Sequence, residues 1–155
     1  MREFLRTGEF GPVRLGDSVD ALRSSFGEPP VVSATSRRHR TPGIWEYGDI
    51  EFHLTSDHKS LSLIFCDTFA QLELVPAVVF DRWFFEGHPP LEQVERELGT
   101  ADIKYERHDM PHEPSAFVLR LDSGIELLFS DGSDPMMWPG VPGLFGFQYS
   151  GKAAS

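Results

Sequence analysis

A chain of 155 residues, 40% hydrophobic and 25% charged, holds enough apolar side chains for one ordinary domain without a metal or a disulfide to hold it together. Its formal charge of −10 comes from 24 acidic and 14 basic residues. A field of that sign repels phosphate backbones and anionic headgroups, which argues against nucleic acid and membrane surfaces as main partners and favours a basic one.

The N-terminal residues Met1-Arg2-Glu3-Phe4-Leu5-Arg6 lack the continuous apolar stretch of a signal peptide. No segment approaches the roughly 20 apolar residues that span a bilayer, so a cytoplasmic location is expected. Residues 15–29 then open like a helix. Asp17 or Ser18 can accept a hydrogen bond from the free N–H groups of the first turn. Val19, Leu22 and Phe26 form one helical stripe, Gly27 can take the left-handed conformation that ends it, and Pro29 prevents its resumption.

Four extended runs follow, at 31–35, 44–47, 50–54 and 61–66, with Gly48-Asp49 as a tight-turn signal. The basic run Arg37-Arg38-His39-Arg40 falls in the loop between the first two and reads as solvated. The single cysteine, Cys66, excludes an intramolecular disulfide, and its apolar surroundings mark a buried, inert thiol. Residues 68–85 form a connector whose stretch from Leu72 to Phe80 is broken by Pro76 but is too apolar for a free linker. It is expected to pack across the segments on either side.

The helical pattern then recurs. Leu91, Val94, Leu98 and Gly99 match Val19, Leu22, Phe26 and Gly27 at a constant offset of 72 residues, and Pro90 suits the first helical position. Extended runs again follow, at 103–106, 116–121, 125–129 and 144–149, with Asp122-Ser123-Gly124 as the corresponding turn. Ile50-Glu51-Phe52 lines up with Ile125-Glu126-Leu127. The pattern predicts an α+β protein of two tandem related units, each a short helix on a roughly four-stranded antiparallel meander. The units span 1–67 and 86–150, joined by an ordered connector at 68–85 into one integrated domain, with a disordered tail at 151–155.

Period-two alternation puts Ile50, Phe52 and Leu54 under the first helix and Ile125, Leu127 and Phe129 under the second. Glu51, His53 and Glu126 then point the other way. Trp45 and Tyr47 share a face of their own strand, and Trp138 lies in a stretch unlike regular structure. All three are of types that carry binding energy at interfaces.

Motifs for chemistry are sparse. His108-Asp109-Met110-Pro111-His112-Glu113 is dense in potential ligands but lacks the spacing that converges them, and it reads as a solvated hairpin loop. Asp131-Gly132-Ser133-Asp134 lacks the remaining ligands of a calcium loop and reads as a turn. There is no nucleophile elbow, phosphate-binding loop or dinucleotide fingerprint. No catalytic residue, metal or cofactor is assigned.

The residues Gly16, Asp17, Val19, Leu22, Phe26, Gly27 and Pro29, with Gly87, Leu91, Val94, Leu98 and Gly99 as a second copy, resemble the repeat unit of the beta-lactamase inhibitor proteins. That unit is similar to one in small outer-membrane assembly lipoproteins. The resemblance implies a tandem helix-plus-meander fold over most of the chain. Secretion and beta-lactamase inhibition are not carried over, because the chain shows no signal peptide and no cysteine pair. The duplicated layout and acidic character also look like immunity proteins of bacterial toxin systems.

The expected function is a non-enzymatic protein-binding module, an intracellular inhibitor or immunity protein acting on a basic partner. Its surface is assigned to a sheet face carrying Trp45, Tyr47, Glu51 and His53, with Glu126 from the other half and Trp138 nearby. The alternatives are a small-molecule binder or enzyme with a pocket between the halves near Trp83, His88 and Trp138, and a structural subunit whose sheet face is buried in a homodimer.

Overall fold

The computed structural model describes residues 1–34, 42–67, 81–134 and 140–151. Eight strands, β1 (Val31–Ala34), β2 (Pro42–Tyr47), β3 (Ile50–Leu54), β4 (Leu61–Cys66), β5 (Tyr105–Asp109), β6 (Ala116–Leu121), β7 (Glu126–Ser130) and β8 (Gly143–Tyr149), build one antiparallel sheet. Three helices accompany it: α1 (Arg2–Thr7), α2 (Val19–Phe26) and α3 (Leu91–Thr100). The strand order β1-β2-β3-β4-β8-β7-β6-β5 makes two meanders that meet through their last strands. Whether two sheets or one would form has no local signal, and the answer is one continuous sheet. Its seam consists of the pairs Ile64–Tyr149, Phe65–Gln148 and Cys66–Phe147.

The alternation in β3 falls as the sequence dictates: Ile50, Phe52 and Leu54 are buried while Glu51 and His53 are half-buried. Phe52 sits in a ring cluster with Phe10, Phe26 and Tyr47, at centroid distances of 5.8, 5.4 and 5.7 Å. Such edge-to-face and stacked contacts add to the burial of large apolar area. The same core takes in Leu22 of α2, Val94 and Leu98 of α3, and Leu127, Phe129 and Phe147 of the second meander. The Tyr47 hydroxyl donates to the Gly27 carbonyl at 2.8 Å, and burial pushes its pKa up to about 12. One core therefore runs beneath both meanders.

α2 begins at Ser18, whose Oγ accepts from the Ala21 N–H at 3.2 Å; Asp17 instead accepts from the Arg14 N–H at 3.0 Å. Gly27 ends the helix at φ 81°. α3 departs from its expected limits at both ends. Pro90 is the residue before the first helical position, and Gly99 lies inside the helix. The chain turns left-handed at Asp102 (φ 55°), where the Ile103 N–H reaches back to the Leu98 carbonyl at 2.9 Å. Ile103, whose N–H makes that bond, is buried.

α1 has no counterpart in the sequence reading. Its six residues are too few for a stripe, and it is held by tertiary contacts. Phe4 meets Phe10, Phe147 and Tyr149 edge-on, and the Leu5 carbonyl accepts from Ser123 Oγ at 2.7 Å. The N-terminal helix is thus fastened to strands of the C-terminal meander. β5 also lies two residues later than expected, so His108 and Asp109 belong to a strand and not to the loop that follows.

The basic run 37–40, the connector residues 68–80, Trp138 and the tail residues 152–155 lie outside the described residues. No helix among the described residues is long and apolar enough to cross a membrane.

Candidate functional site

Strand register fixes which side chains share the sheet face opposite the helices. Across the two-residue turn Gly48-Asp49, Tyr47 pairs with Ile50, Glu46 with Glu51, Trp45 with Phe52 and Ile44 with His53. Paired residues project to the same side. Trp45 and Tyr47 therefore join Phe52 and Ile50 in the core, 8% and 0% exposed, and do not share a face with Glu51 and His53. The expected surface is corrected accordingly. Glu46, not Trp45 or Tyr47, stands beside Glu51.

Following the register outward from Glu51 gives a single row with one residue from every strand. It runs Val31, Glu46, Glu51, Phe65, Gln148, Glu126, Arg120, Glu106. Glu51 and Glu126 occupy equivalent positions on β3 and β7, flanking Phe65 and Gln148 at the seam. A second, shorter row on the same face holds Ser33, Ile44, His53 and Leu63. Beyond the seam, Val118, Leu128 and Phe145 form a separate small apolar cluster against Phe65.

The polar groups of the row are positioned by one another. Glu46 Oε1 accepts from Ser33 Oγ at 2.7 Å. His53 Nε2 lies 2.7 Å from Glu51 Oε2, and the His53 ring meets Phe65 edge-on at 5.9 Å. Glu126 Oε1 accepts from both Arg120 Nε (2.8 Å) and Nη2 (2.6 Å), while its Oε2 accepts from Gln148 Nε2 at 2.6 Å. With its side chain only 18% exposed, Glu126 is neutralised and locked in place. Glu106 stands 83% exposed at the β5 end, 3.5 Å from His108 Nε2. The charge open to a partner is therefore concentrated at Glu46, Glu51 and Glu106, and the centre of the row is the half-buried Phe65 ring.

The His53–Glu51 pair has the contact of a catalytic dyad, but Ser62 Oγ donates to the His53 main-chain carbonyl and not to the ring. The Cys66 thiol is fully buried on the other face. Among the described residues no three of His, Cys, Asp and Glu converge as metal ligands. Asp131 accepts from the Ser133 N–H at 2.8 Å, and hydrogen bonding from Ser133 holds its carboxyl below the usual range, as in a tight turn.

Of the residues expected near a pocket between the halves, Trp83 and His88 lie among the described residues and Trp138 does not. Trp83 Nε1 donates to Glu97 Oε2 at 2.9 Å with the Arg2 guanidinium over its ring, and His88 Nδ1 lies 3.2 Å from the Leu144 carbonyl oxygen. Neither lines the 240 Å³ cleft bounded by Leu91, Arg107, Phe117 and Phe129, nor the 280 Å³ cleft beside Glu9, Arg14 and Asp17.

Sequence reasoning reached Glu51, His53 and Glu126 but missed Glu46, Phe65 and Gln148. The signal for Glu46 was present: a two-residue turn forces the residues flanking it to pair, which fixes the parity of β2 from that of β3. No local signal marks Gln148, whose place depends on the seam. No protein-family model matches the chain, and no curated protein or solved structure is significantly similar to it.

Proposed function

We propose that the chain is a non-enzymatic protein-binding module that engages a basic protein partner through the sheet face opposite the described helices, as an intracellular inhibitor or immunity protein does. The single observation behind this reading is the row of Glu46, Glu51, Phe65, Gln148, Glu126, Arg120 and Glu106 across the sheet. Its acidic ends steer a cationic partner, and its aromatic centre supplies apolar contact. The net charge of −10 has the same sign.

The reading includes a duplicated origin of the two halves, each a helix followed by a four-stranded meander. The 72-residue offset of the helical stripes supports it, as do the mirrored strand order and the equivalent placement of Glu51 and Glu126. Duplication doubles the breadth of one surface without requiring a second chain.

Affinity capture from the native cell's lysate at low and at high salt tests the proposal. A basic protein retained at low salt, released at high salt and lost on Glu46→Lys/Glu51→Lys substitution is expected. Retention that is indifferent to both salt and charge reversal rules the surface out.

A further inference from the structure

Among the described residues the sheet ends at β1 and β5, and these two edges differ in a way that bears on how a partner docks. β5 carries Glu106, Arg107, His108 and Asp109, the alternating charges by which sheet edges are protected against pairing. β1, Val31-Val32-Ser33-Ala34, carries none. Val31 and Val32 are 51% and 45% exposed, the two most exposed large apolar side chains among the described residues. An edge of this kind is a template for one more strand.

The acidic row ends at this edge, because Val31 pairs with Glu46 and Glu46 with Glu51. A strand laid against β1 would sit about 4.8 Å from it, so a side chain opposite Val31 would start about 10 Å from the Glu46 backbone on the same face. A lysine or arginine side chain and the Glu46 side chain together span that gap, the methylenes lying on Val31 and the charges meeting between them. The next side chain would project to the other face, over Val32 and towards Trp45, where an apolar residue fits and where the Arg23 guanidinium over Trp45 disfavours a second cation.

We infer that β1 accepts an extended segment of the partner as a ninth strand, its side chains alternating basic towards the acidic row and apolar towards Val32. The inference rests on the proposed binding of a basic protein and specifies the element that partner presents. Self-pairing of two copies through β1 is disfavoured by charge complementarity, since it would bring two acidic rows together.

The test uses the full chain, labelled with ¹⁵N, and two blocked eight-residue peptides, one alternating Lys and Val, the other Glu and Val. The Lys peptide is expected to shift amides of residues 31–34 and to bind at least ten-fold tighter than the Glu peptide. Val32→Lys, at an exposed position that tolerates it, is expected to weaken the Lys peptide ten-fold while resonances away from β1 stay in place; Glu46→Lys is expected to weaken it several-fold. Shifts confined to the face around Glu51 and Phe65, unaltered by Val32→Lys, would overturn strand addition and leave the face reading standing. Strand addition that ignores Glu46→Lys and takes both peptides equally would overturn the basic-partner reading as well. No shift at β1 up to millimolar peptide, or a dimer that Val32→Lys dissociates, would overturn the inference.

Discussion

Gly146 lies on β8 where the two meanders meet, and the three atoms nearest to a Cβ placed there are all main chain. It would run into the Cys66 carbonyl oxygen and stand 2.9 Å from Asp67 Cα and 3.1 Å from the Cys66 carbonyl carbon. No rotamer change relieves such a contact, so Gly146→Ala must push β4 away from β8. Overpacking of this kind costs about 1–3 kcal/mol. Loss of the adjoining rung at Cys66–Phe147 adds about 1 kcal/mol, and the reduced freedom of the unfolded chain returns about 0.5 kcal/mol. The expected net loss is about 1.5–3.5 kcal/mol, equivalent to a Tm fall of about 3–14 °C for a chain of this length. Gly99, inside α3 with nothing within 4 Å of its Cβ position, is the control: the same substitution there should gain about 0.5–1 kcal/mol. Urea unfolding of parent and both variants, followed by tryptophan fluorescence, gives the numbers directly. A Gly146→Ala variant within 0.5 kcal/mol of the parent would refute the close approach of β4 and β8 and, with it, the single sheet.

Tyr47→Phe should cost about 1 kcal/mol at pH 8 through loss of the hydrogen bond to Gly27. The folded phenol, raised to about 12, holds its proton where the unfolded one, near 10, releases it. The parent therefore loses stability as pH rises above 10 and the Phe variant escapes that loss, so the gap between them must narrow between pH 8 and pH 11; a constant gap in urea titrations contradicts the assignment. Ser18→Ala, which removes the cap of α2, should cost about 1 kcal/mol by the same assay, and no loss would mean that the Ala21 N–H is satisfied otherwise. A double-mutant cycle with Arg120→Ala and Glu126→Gln should show a coupling of about 1 kcal/mol, since the guanidinium meets one carboxylate oxygen twice; a coupling below 0.3 kcal/mol would mean that Gln148 alone holds Glu126.

What the sequence disclosed and what it hid divide along the range of the interactions involved. The stripe of α2 and the alternation in β3 are local patterns, and both fold as they read. The residue types of Trp45 and Tyr47 suit interfaces and point outward, whereas pairing across the Gly48-Asp49 turn commits them to the core with Phe52 and Ile50. The late start of β5 follows from Ile103, which is apolar and alternates with Tyr105 like a strand residue but serves to close α3. α1 and the seam between β4 and β8 depend on residues more than 80 positions away, and nothing within either segment announces its partner.

That separation orders the events of synthesis. α1 and β4 leave the ribosome complete, yet the residues they rest on, Ser123, Phe147 and Tyr149, follow about 4–17 s after β4 and about 6–29 s after α1 at typical elongation rates. Until β8 is made, the edge of β4 that takes the pairs Ile64–Tyr149 and Phe65–Gln148 lacks that partner. β8 then closes the gap between the two meanders and gives Phe4 of α1 its ring contacts with Phe147 and Tyr149.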